Sequence, residues 1–511
     1  MSRSERFLGL LETTSDLLSP IVVKEVRQVV RGREFTFSVS ASLIAGLAVA
    51  FFGAADALTG TGTSGRWTFG ALMGCLTLLG LAVVPLGAFT ALRVERLEQT
   101  LELITLTALT PRRVVIGKLL AQGVKLATLF AAMAPFIAMS FLLGGIDFAT
   151  ILVSLAILFM WSLWMSSAGL FLSSLLKSRA MMGIVLGGAA IVLLVLVVSL
   201  GRMLFVIAIR GALVAAPPGF GLLGAEPWWA LAVMTTFCIA SMVNLVLLAE
   251  NRLSLPTGNR VTPLRVGFLV QFLLIAGWTL SFVNEPLIVR SNVLEAFGVI
   301  GGLHLMVVAM FTVTEDLVVP RRVLRSMTSS RWRPLLAIFR PGGGRGAAYV
   351  LMQMALLFAV AWPLLPTWIQ LRWLLALCGY ICFFTGVPTL AVRYLRPEGA
   401  ATLRLRVGIL LLLPASLLLP DLVHYVLWRP DVLNLGYSAR HLFNPIRTLT
   451  NWPLVETYGW QSLPFAFGVL GVLAYLGLIH LGMSTTAEVA SGDPQDSAAE
   501  AGEHRSANVL Y

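Results

Sequence analysis

The sequence predicts an all-α fold: a polytopic transmembrane helical bundle of about 12 spans, preceded by an amphipathic helix lying in the interface. Three observations carry this. Over 511 residues, hydrophobic types make up 58% and charged types only 12%, whereas a soluble domain carries about 25% charged residues. Mean hydropathy is +0.87. Apolar runs of about 20 residues, the length that crosses the hydrocarbon core as a helix, recur along the whole chain. A string of soluble domains is excluded.

The elements follow in order. Met1–Ser19 has charges but neither an uninterrupted apolar stretch nor a cleavage site, so it does not read as a signal peptide. Ser19 is placed to cap a helix and Pro20 to open it. Val22, Val26, Val29 and Val30 fall on one helical face, with Lys24, Arg27, Gln28 and Arg31 opposite and Glu25 beside them. This segment is too short and too charged to span. It is expected to lie in the interface with its valines in the acyl boundary, turning near Gly32 into the first span. Residues 1–34 therefore form a cytoplasmic N-terminal region.

Spans are expected from Phe35, Trp67, Leu119, Ile151, Met181 and Pro227, giving a six-span core over residues 35–260. A second six-span region, 261–483, has spans from Val266, Val293, Ala347, Arg372, Leu405 and Leu463. The connection after the second span, Arg93–Lys118, is unusual. Val94, Leu97, Leu101 and Ile104 make an apolar face, and Glu95, Glu98 and Glu102 an acidic stripe. Thr110-Pro111 then opens a new helix, with Arg112 and Arg113 in its first turn, running through Lys118 into the third span. Two short helices parted at Ala108–Pro111 make a compact knob whose mixed charges suit docking to another protein; a solvated charged loop fits the charge pattern as well. Late in the chain, residues 428–461 collect Trp428, Tyr437, Phe443, Trp452, Tyr458 and Trp460. Such aromatics favour the outer headgroup level; a mouth over a substrate path is the alternative. The end of the chain, 484–511, is small and acidic and is expected to be a disordered cytoplasmic tail.

Orientation follows from the basic residues. With both ends in the cytoplasm, about 28 of the 37 Lys and Arg fall inside, as the positive-inside rule requires. The formal charge of +12 is then topology and contact with anionic membrane lipids; nucleic acid is not implied.

Chemistry-bearing motifs are few. The 4 cysteines, Cys75, Cys238, Cys378 and Cys382, lie in apolar runs and read as packing residues, so no metal site is expected. His304 and Asn244, like Gln271, are intramembrane polar residues whose expected role is an interhelical hydrogen bond. Lys125 is expected to snorkel toward the cytoplasm. Glu315 and Asp316 are expected at an inner end near Arg321 and Arg322, and Asp421 and His424 at an outer end. Gly62-Thr-Ser-Gly65 has no histidine placed to activate Ser64 and reads as a turn. Pro341-Gly-Gly-Gly-Arg-Gly346 lacks the lysine and hydroxyl of a phosphate-binding loop and reads as a flexible turn. No catalytic residues and no cofactor are expected on this chain.

The run from Ser19 to Arg33, taken with Glu95–Lys118, resembles the ABC-2 type permeases, the membrane subunits of ATP-driven exporters. By position, Glu95, Glu98, Thr100, Leu101 and Glu102 match that family's acid-rich stretch. Leu109, Thr110 and Pro111 match its proline break, and Gly117-Lys118 its ending. Gly144–Asp147 and Ser178-Arg179 also look similar. The likeness covers roughly residues 19–250 of the chain. It implies a permease subunit in the prokaryotic inner membrane, driven by a separate ATPase subunit that holds ATP and magnesium. It also implies that Glu95–Lys118 is the coupling segment. Because such ATPases work in pairs, and no second Thr-Leu-Glu knob or second Pro-x-x-x-Lys-Glu segment follows Val261, a homodimer or a heterodimer with a related permease is expected. A membrane scaffold or an ion-coupled carrier without an ATPase is the alternative.

Overall fold

The computed structural model describes residues 20–58, 64–97, 111–144, 146–175, 227–253, 259–317, 337–365, 367–395, 405–412, 415–416 and 439–491. These are helical, without strands, and ten helices are long and apolar enough to cross a membrane. The chain is a multi-pass membrane protein. It divides into two compact units, Met1–Ser254 and Leu255–Tyr511.

In the first unit α1 (Pro20–Val30) is followed, after a turn at Arg31 and Gly32, by α2 (Arg33–Leu58). The second span is α3 (Ser64–Leu78) and α4 (Val84–Leu97), joined by one π-helical turn, Leu79–Val83. Pro85 has no N–H to bond the carbonyl one turn back; directly ahead of it the Val84 N–H reaches Leu79 O instead, and the register widens. Then come α5 (Pro111–Leu142), α6 (Phe148–Leu175) and α7 (Pro227–Leu253). The first span packs on the second and third, the second on the third and fourth, and α7 on α5 and α6. Small residues permit these approaches, as between helices in lipid. Ser162, Ser166 and Ser174 of α6 are buried, and a Cβ at Gly169 would stand 2.7 Å from Pro85 O. The core centres on Phe69, Leu72, Met73, Leu76, Met133 and Leu158.

In the second unit the spans are α8 (Val261–Leu280), α9 (Leu287–Thr312), α10 (Gly343–Ala361), α11 (Trp368–Leu395) and the long last helix. Ahead of that helix, a 3-10 turn (Ala439–Phe443), α12 (Pro445–Thr450) and α13 (Trp452–Thr457) close one end of the bundle. The last helix is α14 (Ser462–Ser491). It lies so close to α11 that a Cβ at Gly379 would be 2.8 Å from the Gly468 Cα.

Several expectations change. The span expected from Met181, along with Lys177 and Arg179, lies outside the described residues, and of that expected from Leu405 only 405–412 and 415–416 are described. The tail does not begin at Ser484: α14 runs on to Ser491, because Ala487, Glu488 and Ala490 favour helix; residues 492–511 lie outside the description. Pro341–Gly346 is no flexible turn. Gly342 takes φ +125°, a conformation open to glycine, and Gly343–Gly346 form the buried first turn of α10. Trp452 is 2% exposed, packed with Ala376, Leu442 and Val455, so it fills the bundle end and is not a headgroup anchor. Tyr458 and Phe443 are exposed. Trp428, Tyr437, Asp421 and His424 lie outside the described residues.

Candidate functional site

The two stretches singled out in the sequence meet at one end of the first unit. Helix α5 has 32 residues, about 48 Å at 1.5 Å per residue, against a hydrocarbon core of about 30 Å. Its far end turns into α6 within a few residues, and Lys118 lies in its opening turns at the other end. Helix α1 packs against α5, and Lys118 Nζ donates to Glu25 Oε2 at 3.1 Å. Their side chains are 1% and 5% exposed. A buried pair of this kind strongly opposes loss of one partner, because the survivor is left as an uncompensated charge. It fastens α1 to the third span.

The register of α1 explains how Glu25 comes to be there. Val22, Val26 and Val29 are half-buried, while Lys24, Arg27, Gln28 and Arg31 are exposed. Glu25 stands on the same side as those valines, three residues from Val22 and four from Val29. The expected seat in the acyl boundary is therefore corrected: the inner face of α1 rests on protein, and only Val23 and Val30 are exposed valines. Lys24 Nζ lies 3.9 Å from Glu25 Oε1 at the rim.

The knob is described only at its flanks. Helix α4 continues the second span unbroken through Leu97, so the first half of the segment begins as a prolongation of that span and not as a separate short helix. The side chains of residues 92–97, Glu95 among them, and all of Glu98, Thr100, Leu101, Glu102 and Thr110 lie outside the description. Pro111 opens α5 as expected, with Arg112 and Arg113 exposed in its first turn. The charge of Arg112 acts on Glu250 near the end of α7.

Lys125 does not snorkel. It is 3% exposed, and a Cβ on Gly87 of α4 would meet its Nζ at 3.4 Å and Gln122 Oε1 at 3.6 Å. The missing side chain at Gly87 makes the niche that holds it. At the opposite end, Ser64 Oγ donates to Asp56 Oδ2 at 2.8 Å, which occupies its hydroxyl in the helix hairpin.

The second unit has a polar end of which the sequence singled out the carboxylates, Glu315 and Asp316, but not the arginines that hold them. Arg265, just ahead of the span expected from Val266, is 0% exposed in α8. Its guanidinium bonds Ile338 O and Arg340 O at 2.6 Å each, Gly342 O at 3.2 Å and Glu315 Oε2 at 2.6 Å. The Gly342 N–H also donates to Glu315, at 3.0 Å. Burial pushes the Glu315 carboxyl above its ordinary range, against the pull of Arg265, the Gly342 amide and Arg406. Arg393 at the end of α11 bonds Asp316 Oδ1 at 3.1 Å and Glu315 O at 3.0 Å. Arg406 bonds Thr314 Oγ1 at 2.7 Å and Phe311 O at 2.9 Å. The carboxylates thus pair with Arg265 and Arg393; Arg321 and Arg322 lie outside the described residues. Arg265, Thr314–Asp316, Ile338–Gly342, Arg393 and Arg406 thus meet at one end of the bundle.

Deeper in this unit, Gln353 Nε2 donates to Tyr349 OH at 2.6 Å, and Tyr349 in turn donates to Arg265 O. His304, 7% exposed, stands between Phe268 and Phe272, with ring centroids 6.0 Å away, and interacts with Gln353. The tyrosine ends this chain on a backbone carbonyl, which takes up no proton, so it pins helices and relays nothing. Asn244 and Gln271 are buried in their spans.

The signal for Arg265 was legible only in part: an arginine one turn inside an apolar helix is costly in lipid and has to find acceptors, but nothing in the sequence says which. Comparisons with protein-family models, with curated proteins and with solved structures find no match to this chain.

Proposed function

We propose that the chain is the permease subunit of an ATP-binding-cassette exporter of the ABC-2 type, lying in a prokaryotic inner membrane with both ends in the cytoplasm. A separate ATPase subunit holds ATP and magnesium and performs the hydrolysis. The observation that carries this reading is the buried Glu25–Lys118 bond. It joins the two elements on which the family resemblance rests, and it does so across 93 positions of the chain. The connection 98–110 hangs between α4 and α5, and α5 is fastened to α1. A push on that connection therefore reaches the third span and the interfacial helix together. Coupling needs contacts that differ between the two states of the motor, and Glu95, Glu98 and Glu102 supply charge for them.

The test is charge reversal. Glu98→Lys with Glu102→Lys releases or uncouples the ATPase while the permease stays inserted, so co-purification and nucleotide-dependent transport fall together. Unchanged co-purification and ATP turnover would remove the coupling assignment. The ion-coupled carrier draws on one observation, the buried amine of Lys125 within an apolar span. It requires transport into vesicles under an ion gradient with no nucleotide present.

A further inference from the structure

We infer that the second unit is a diverged repeat of the first, so that one chain supplies both membrane halves of the transporter and works without a second permease chain. This rests on the permease reading above and replaces the expected dimer.

The packing scheme carries the inference. In the second unit α8 packs on α9 and α10, α9 packs on α10 and α11, and α14 packs on α10 and α11. Taken in chain order, with the fifth span set aside in each unit, these are the pairings of the first unit: first on second and third, second on third and fourth, sixth on third and fourth. The first unit adds a third-to-fourth pairing, α5 on α6. Five helices can be packed in many other ways, and nothing in lipid drives two unrelated sets to one scheme, since apolar faces are as well satisfied by acyl chains as by each other.

A second observation is independent of the packing. Each unit places a buried cation and carboxylate beside the start of its third span. In the first unit Lys118 of α5 meets Glu25 of α1 at 3.1 Å. In the second, Arg265 of α8 meets Glu315 at 2.6 Å and bonds the backbone of 338–342 immediately before α10. The pair joins different elements in the two units, α1 to the third span in the first and the first span to the end of the second span in the second, so what the units share is a buried pair beside the start of the third span. The second unit carries its cation on the first span, so it has no use for a Lys-Glu pair ahead of that span.

The test uses the full chain, produced in two differently tagged forms in one host and extracted gently into nanodiscs with its ATPase. One tag captures the other only at background level, and native mass measurement finds one 55.2 kDa chain with two ATPase subunits. Mutual capture of the tags, with two chains and two ATPase subunits per complex, overturns the repeat as a working half and leaves the permease reading standing. Absence of any ATPase, with transport proceeding without nucleotide, overturns the permease reading and this inference with it.

Discussion

The two polar ends solve one mechanical problem with different chemistry. In the first unit the fastening joins two side chains, Lys118 and Glu25. Lys carries a compact charge on a flexible stem with rotatable donors, so α1 and α5 can shift slightly while the pair re-forms through new rotamers. In the second unit Arg265 presents a planar fork, and three of its acceptors are backbone carbonyls. Those carbonyls cannot move without moving the chain that carries them, and Arg393 and Arg406 tie the neighbouring segments to the same spot. The difference teaches where motion is permitted: the first unit's end is fastened but adjustable, and the second unit's end is clamped. That is the division of labour expected if the motor acts chiefly on the first unit.

Removing the clamp is the severest way to break the comparison. Arg265→Met leaves the Glu315 carboxylate buried without its cation, at about 3–5 kcal/mol, and strands carbonyl oxygens at about 1 kcal/mol or more each. The expected loss is at least about 5 kcal/mol in total, read as failure to fold or as a large drop in the unfolding midpoint of the solubilised protein. Arg265→Lys recovers little, because an ammonium does not reproduce the fork. If Lys proved as good as Arg, the contrast between clamp and adjustable pair would disappear.

Lys118→Met is milder. It leaves Glu25 buried and costs about 3 kcal/mol. Adding Glu25→Gln restores most of the stability, since no bare charge is left, but not the transport, since the side-chain tie between α1 and α5 is gone. A double-mutant cycle on stability, run beside nucleotide-dependent transport, separates the two effects. Recovery of both together would reduce the pair to a structural bond.

The class of fold was legible because lipid leaves a strong mark on composition: few charges, long apolar runs and a biased placement of cations. The turn at Gly32 and the helix start at Pro111 were legible through local chemistry, since glycine and proline act on their own stretch of backbone. The partnership of Glu25 and Lys118 was not. Each was singled out for its own motif, but only three-dimensional packing places residues 93 positions apart in contact. Arg265 was misplaced for a related reason: hydropathy treats an arginine near a span end as loop, and its acceptors are carbonyls, which every residue possesses. Trp452 was misread because an aromatic residue signals the headgroup level and a packed core equally well. The repeat left no motif, because packing order can outlive the sequence that first established it.

The weakest test sits at the other end of the first unit, away from the Glu25–Lys118 pair. Asp147 stands just before α6 and accepts from the Thr150 amide at 2.9 Å and the Thr150 hydroxyl at 2.6 Å, the arrangement of a helix N-cap. Burial is the largest single influence on this carboxyl and pushes its pKa up, but the two bonds from Thr150 and its own backbone amide together outweigh it, and the pKa lies below the ordinary value. A carboxyl depressed in the folded state contributes stability that is fully present above its unfolded pKa, about 3.9. That contribution is lost as the pH falls through the folded value. Asp147→Ala is therefore expected to cost about 1 kcal/mol at neutral pH, and the gap between variant and parent narrows on acidification below about pH 4. Asp147→Asn keeps an acceptor oxygen and loses the pH dependence while retaining most of the cap. Since this cap does not touch the Glu25–Lys118 pair, nucleotide-dependent transport is expected to stay at the parent level in both variants. A transport defect there would mean that the α5–α6 turn takes part in the motion assigned to the foot of α5.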